Sequence, residues 1–148
     1  MPGPVHIDRL PDAPGEPPVR RIDLPMTAEE RRRVRRRLRI APGLELLLAL
    51  PTGTVLPVGQ LLHVEGGIGY RVAASPEPVV AVRPETTTEA ARLGHLIGNL
   101  HRDIDLADDL VIALWDAGLE ARLRSAGFTV TVERRPFHGR PPGEHAHA

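Results

Sequence analysis

The stretch VVAVRPETTTEAARLGHLIGNLHRDIDLADDLVIALWDAGLEARLRSAGFTVTVE, residues 79–133, decides the fold. It opens on the apolar run Val79 to Arg83 and passes into a helical pattern from Thr87 to about His101. Two short strand-like runs follow, near Ile104 and over Leu110 to Leu114, then a second helix from Asp116 to Ala126 and a strand from Phe128 to Glu133. The order is βαββαβ, the ferredoxin-like split motif. Its helix ends are marked by residue chemistry: Thr86-x-x-Glu89 is a capping box, Asp116 a good N-cap, and Gly127 stands where a left-handed residue closes a helix. In the last strand Phe128, Val130 and Val132 alternate with Thr129, Thr131 and Glu133, giving one apolar face and one wet face.

Upstream the pattern changes. MTAEERRR carries a capping box at Thr27 and Glu30 and predicts a short helical turn. Beyond it come brief apolar runs, Leu38 with Ile40, Leu44 to Leu50, Leu61 to Val64 and Tyr70 to Ala74, separated by the turn formers APG, PTG, PVG and GG, which predicts a small antiparallel β unit. The first 25 residues, rich in proline, read as a loosely ordered lead-in with one edge strand near Val19 to Leu24. A boundary falls at the SPEP segment, Ser75 to Pro78. The expectation is therefore an α+β chain: a β-rich N-terminal domain over residues 1–75, a ferredoxin-like domain over 76–137, and a flexible tail over 138–148 with nothing to bury after Pro136.

Composition removes several function classes. The 148 residues, 41% hydrophobic and 26% charged, suffice for a folded core. Nineteen arginines, with no lysine, balance 19 acids, which argues against nucleic-acid or membrane binding through bulk charge. No apolar run is long enough to span a bilayer and the first residues do not resemble a signal peptide, so a cytoplasmic location is expected. Without cysteine, a metal must be held by nitrogen and oxygen ligands. The phosphate-binding loop, dinucleotide, nucleophile-elbow and His-Glu-x-x-His signatures are all missing, so no enzyme is expected. Asp103, Asp105, Asp108 and Asp109 lack the glycine and closing glutamate of a calcium loop and read as a solvated turn.

Seven histidines remain to be placed. Leu93, Ile97 and His101 are spaced four apart, so His101 is expected on the apolar stripe of its helix at the last turn. A histidine so placed is more often a packing residue than a ligand, but Gly94 and Gly98 would let a second helix approach, and two copies of His101 across a two-fold axis could share an ion. His145 and His147, two apart, can approach one ion from an extended tail. Imidazole suits nickel, copper and zinc. His6, His63, His95 and His138 show no usable partner spacing. The arginines from Arg31 to Arg39 read as a solvated face before they read as a nucleic-acid or peptide-binding surface.

These residues resemble the UreE family of urease accessory proteins. The likeness rests on HLIGNLHRDIDL (95–106), on Asp116 and Leu119 before LRSAGFTVTVERRPF (123–137), on MTAEERRR and Leu56-Pro-Val-Gly-Gln-Leu-Leu, and on the His-x-His tail. It implies a homodimeric, non-enzymatic nickel metallochaperone with a peptide-binding-like N-terminal domain. His101 of each protomer would bind one nickel at the interface, with His145 and His147 adding ligands and zinc or copper able to compete in vitro. The implied partners are the urease accessory GTPase and the urease maturation complex. Leu100 departs from the arginine usual before the metal histidine, and Trp115 and Ala117 stand where some members carry further surface histidines, so no second site is expected there. The rival reading is a peptide- or RNA-binding adaptor acting through Arg31 to Arg39.

Overall fold

A computed structural model describes residues 3–12, 17–18 and 20–143. Contacts divide the chain into two compact units, Met1–Ala74 and Ser75–Ala148.

The second unit has the order read from sequence: β7 (Pro76–Val82), α2 (Thr87–Asn99), β8 (Asp105–Ala107), β9 (Leu110–Leu114), α3 (Ala117–Ser125) and β10 (Thr131–Pro136). Its sheet runs β10-β7-β9-β8 with every neighbour antiparallel, the ferredoxin-like arrangement. Both helices lie on one face of it. Leu93 and Ile97 of α2 and Leu119 and Leu123 of α3 pack on Val80, Val82, Val111 and Ala113, with Phe128 and Val130 closing the cluster. The last strand begins three residues later than expected; Phe128 and Val130 are buried on the approach to it, while Val132, expected on the same apolar face, is exposed.

Caps explain where the helices begin and stop. Thr86 Oγ1 accepts the Glu89 amide at 3.0 Å, while the Glu89 carboxylate accepts the Glu85 amide, so the expected box is half closed. Asp116 Oδ1 accepts the Leu119 amide at 2.9 Å. At the end of α3, Gly127 takes φ +93° and the amides of Gly127 and Phe128 bond back to Arg124 and Leu123, a Schellman closure.

The first unit holds two three-stranded sheets. One has the order β1 (Val5–Ile7), β4 (Leu44–Ala49), β3 (Arg35–Ala41); the other β2 (Arg20–Met26), β6 (Ile68–Ala74), β5 (Leu61–Glu65). Here the expectation of an antiparallel unit with a loose lead-in is corrected. Val5–Ile7 pairs parallel with β4, and Arg20–Met26 pairs parallel with β6 along its whole length. Pro25 is tolerated because β2 is an edge strand. Residues of both sheets, among them Ile7, Leu46 and Leu48 from one and Met26, Leu62 and Val72 from the other, share one core.

The turn between β2 and β3 is α1 (Ala28–Arg32), and its capping box is complete: Thr27 Oγ1 accepts the Glu30 amide at 3.2 Å and Glu30 Oε1 accepts the Thr27 amide at 3.1 Å. That backbone hydrogen bond chiefly holds the Glu30 carboxyl below the usual carboxylate range, helped by the Thr27 hydroxyl and by Arg36 and opposed by burial. A depressed pKa stabilises the fold above the unfolded carboxylate range, and the contribution is lost as pH falls through the folded value. Thr27→Ala should cost about 1 kcal/mol. The stability gap between the parent and Glu30→Ala should narrow on acidification, as chemical denaturation at neutral and acidic pH will read.

Candidate metal centre

The arginine-rich segment divides in three. Arg31 is 1% exposed, and its Nη1 donates to the Met26 carbonyl at 3.0 Å. Arg36 is half-buried and lies 3.7 Å from Glu30. Arg33, Arg35, Arg37 and Arg39 are exposed, with Glu45 serving both Arg37 (3.1 Å) and Arg39 (3.5 Å). The expected single solvated face is therefore corrected, because strand alternation turns Arg36 inward and α1 buries Arg31.

His101 differs from its expected placement. Helix α2 ends at Asn99 with Leu100 as C-cap. His101 is the next residue, at φ +58°, with its amide bonded to the Gly98 carbonyl at 2.9 Å, while Arg102 N–H reaches the Ile97 carbonyl at 3.2 Å. This is the same Schellman closure as at Gly127, with a histidine in the left-handed position that usually takes glycine. Leu93 and Ile97 point into the core, 0% and 1% exposed, whereas His101 is exposed and off their stripe. The reading of His101 as the last member of an apolar stripe is corrected: one residue of left-handed backbone swings the side chain off the helix face.

A left-handed conformation costs a residue with a Cβ about 1–2 kcal/mol relative to its preferred state. The helix end thus carries a strained backbone and an exposed imidazole at one point, a combination that concentrates at functional sites. Beside it Arg102 reaches Asp116 at 3.5 Å, and a shallow cavity of about 500 Å³ is lined by Leu100, Arg102, Asp116, Leu119 and Arg122. Gly94 is half-buried and Gly98 exposed, and a Cβ built on either meets nothing within 4 Å, so packing inside the unit does not require glycine at these positions.

The segment after β10 is corrected as well. Phe137 is 0% exposed, Pro141 is buried, and the backbone between them is tied to the start of β8. Asp105 Oδ2 accepts the His138 amide at 3.0 Å and lies 2.9 Å from His138 Nδ1, and Asp103 Oδ2 accepts the Arg140 amide at 2.7 Å. His138 therefore has a carboxylate partner that its spacing did not reveal. Asp103 and Asp105 are acceptors for returning chain and not solvated turn residues; only Asp108 and Asp109 make a tight turn, at φ +53° and +63°. His145 and His147 lie outside the described residues, which end at Gly143.

Trp115 is exposed and its indole Nε1 donates to Glu120 at 2.9 Å. His95 is exposed, and His63 stacks on Tyr70 with ring centroids 6.3 Å apart. Among the described residues no group of three or more His, Asp or Glu side chains is placed to hold an ion. No helix among them is long and apolar enough to cross a membrane.

Comparison with known proteins gives this arrangement its family. A model described as the UreE urease accessory protein N-terminal domain matches residues 6–74, and one described as the C-terminal domain matches residues 77–148. Urease accessory protein UreE of Synechococcus sp. (strain JA-3-3Ab) is 55% identical over 126 residues, covering 85% of each chain. That of Deinococcus radiodurans is 50% identical over 124 residues, covering 84% of this chain and 80% of the relative. With both halves matched and relatives this similar along most of their length, the chain belongs to the UreE family of urease accessory proteins, which are accessory chaperones and not enzymes.

Proposed function

We propose that this protein is a nickel metallochaperone for urease maturation. Two protomers each contribute His101 to one nickel ion at their interface, His145 and His147 add ligands from the tails, and the ion passes to the urease accessory GTPase and so to urease. The observation that carries the reading is the exposed His101 in a left-handed helix closure, in a chain whose relatives are named urease accessory proteins. A donor must let go of its cargo. An exposed imidazole on a rigid helix end binds an ion without enclosing it, and a partner can complete the shell and take it. Imidazole suits nickel, as it does zinc and copper, which are the expected competitors in vitro. Gly94 and Gly98 on the same helix leave room for a second copy to approach. The adaptor reading through Arg31 to Arg39 is weakened by the burial of Arg31 and the pairing of Arg37 and Arg39 with Glu45.

Calorimetric titration with nickel, alongside measurement of mass in solution, tests this. The expected result is one tight ion per two chains. One tight ion per chain, held by a verified monomer, would overturn the shared site. Imidazole must be neutral to bind a metal, and free histidine titrates near pH ~6.5, so nickel affinity should fall steadily between about pH 7.5 and 5.5. An affinity flat across that range would assign the shell to carboxylates.

A further inference from the structure

Strand β3 is an edge strand bonded to β4 on one side, and among the described residues no backbone hydrogen bond reaches its other side. One bond shows which residues face that open side. The Leu50 amide donates to the Val34 carbonyl at 3.0 Å, so this opposed pair is bonded, and the register makes Arg36 with Leu48 and Leu38 with Leu46 the next bonded pairs. The N–H and C=O groups of Arg35 and Arg37 between them therefore point outward. Their side chains share a face as well. Leu46 and Leu48 fill the core under the sheet, so Arg35, Arg37 and Arg39 lie on its outer face, all exposed, opposite Ala49, Leu47 and Glu45. They recur about every 7 Å, the spacing of alternate residues in a strand. Glu45 is shared by Arg37 and Arg39, and Arg35 has no acidic partner among the described residues, so the row keeps uncompensated positive charge.

We propose that the open edge of β3, with its row Arg35, Arg37 and Arg39, takes up an extended segment of an acidic partner protein as an added strand, with carboxylates at alternate positions over the arginines. Main-chain bonds supply affinity in such an addition, and the alternating charges fix register and partner. The surface belongs to the first unit and is independent of the nickel reading. A second copy of the chain is the wrong occupant, because antiparallel pairing of two β3 edges would set arginine against arginine. RNA would meet the charge, but it has no use for unpaired strand amides, and the neighbouring strand offers only Glu45, Leu47 and Ala49 on that face, with no ring for a base to stack on.

Fluorescence anisotropy with the full chain tests this. The probe is a labelled nonapeptide in which glutamate alternates with threonine. Its control has the same composition but sets the glutamates in pairs, so that each face of the strand carries one only every fourth residue. The parent should bind the alternating peptide several-fold tighter, each opposed charge pair being worth up to about fivefold. Arg37→Thr keeps the outward amide and should weaken binding about 2- to 5-fold. Arg37→Pro removes that amide as well, without breaking a bond to β4, and should weaken binding about 10-fold or more. The threonine variant, at an exposed edge position, keeps the test open should the proline variant fail to fold. Equal losses in the two variants would mean charge attraction without an added strand and overturn the proposal, as would tighter binding of a uridine oligonucleotide than of the peptide. No binding by the parent would leave the arginines as guards against edge pairing and would overturn it too. Hydrogen exchange reads the edge directly: the Arg35 and Arg37 amides should gain protection when the peptide is added, while those of Arg36 and Leu38, already bonded to β4, should not change. Protection that appears elsewhere overturns the assignment to β3.

Discussion

His101→Gly should abolish tight nickel binding while leaving the ferredoxin-like unit at least as stable as the parent. On the proposed reading each protomer then loses its helix-end ligand, and since removing only a supporting group costs up to about 100-fold in metal affinity, loss of the ligand itself should exceed that. The effect on folding has the opposite sign. Residue 101 sits at φ +58° in a Schellman closure, where glycine is the preferred occupant. Removing the Cβ should relieve about 1 kcal/mol of backbone strain. His101→Ala makes the comparison sharp, because it also removes the imidazole but keeps the Cβ, and so should lose nickel without gaining stability. Titration and denaturant unfolding of the three proteins give the result directly. A glycine variant that binds nickel normally would remove His101 from the site, and one that unfolds about 1 kcal/mol or more too easily would overturn the strain argument.

Phe137→Ala should be among the most damaging single changes in the second unit. The ring is completely buried although it lies beyond the last strand, and large-to-small changes at such aromatic positions cost about 3–5 kcal/mol. That is a large part of the ~5–15 kcal/mol by which a domain is normally stable. The neighbouring Pro136→Ala, at an exposed position, should be nearly silent. Unfolding midpoints in urea separate the two; equal midpoints would mean that the return segment adds nothing to the core.

How much of this was legible in the sequence depended on the range of the interaction concerned. Thr86, Asp116 and Gly127 act on amides and carbonyls within a few residues, so the helix ends of the second unit could be read from chemistry alone. Alternation and turn formers gave the order of its strands. His101 was singled out but placed wrongly. Nothing in Gly-Asn-Leu-His announces a left-handed closure, since the residue adopting it is not the glycine, and the hydrophobic spacing continued smoothly through it. The roles of Asp103 and Asp105 are not legible in the sequence, because their partners lie 37 and 33 residues away and the backbone amides among them leave no mark on side-chain pattern. In the first unit the edge strand near Val19 to Leu24 is legible and stands as β2, but β1, three residues long, is not, and neither is the parallel pairing of β2, which is set by a strand far along the chain.

Those parallel pairings govern the sequence of events as the protein is made. Val5 meets Leu46 and Arg20 meets Ile68, so neither sheet of the first unit can close until synthesis has passed well beyond its first strand. Hairpins such as β3–β4 and β5–β6 can form locally while the ribosome is still working, but β1 and β2 must wait and then close long loops, an entropic step that slows folding. During that interval the inner strands β4 and β6 each have one side unpaired, and the protein is then most open to wrong pairing with another nascent chain.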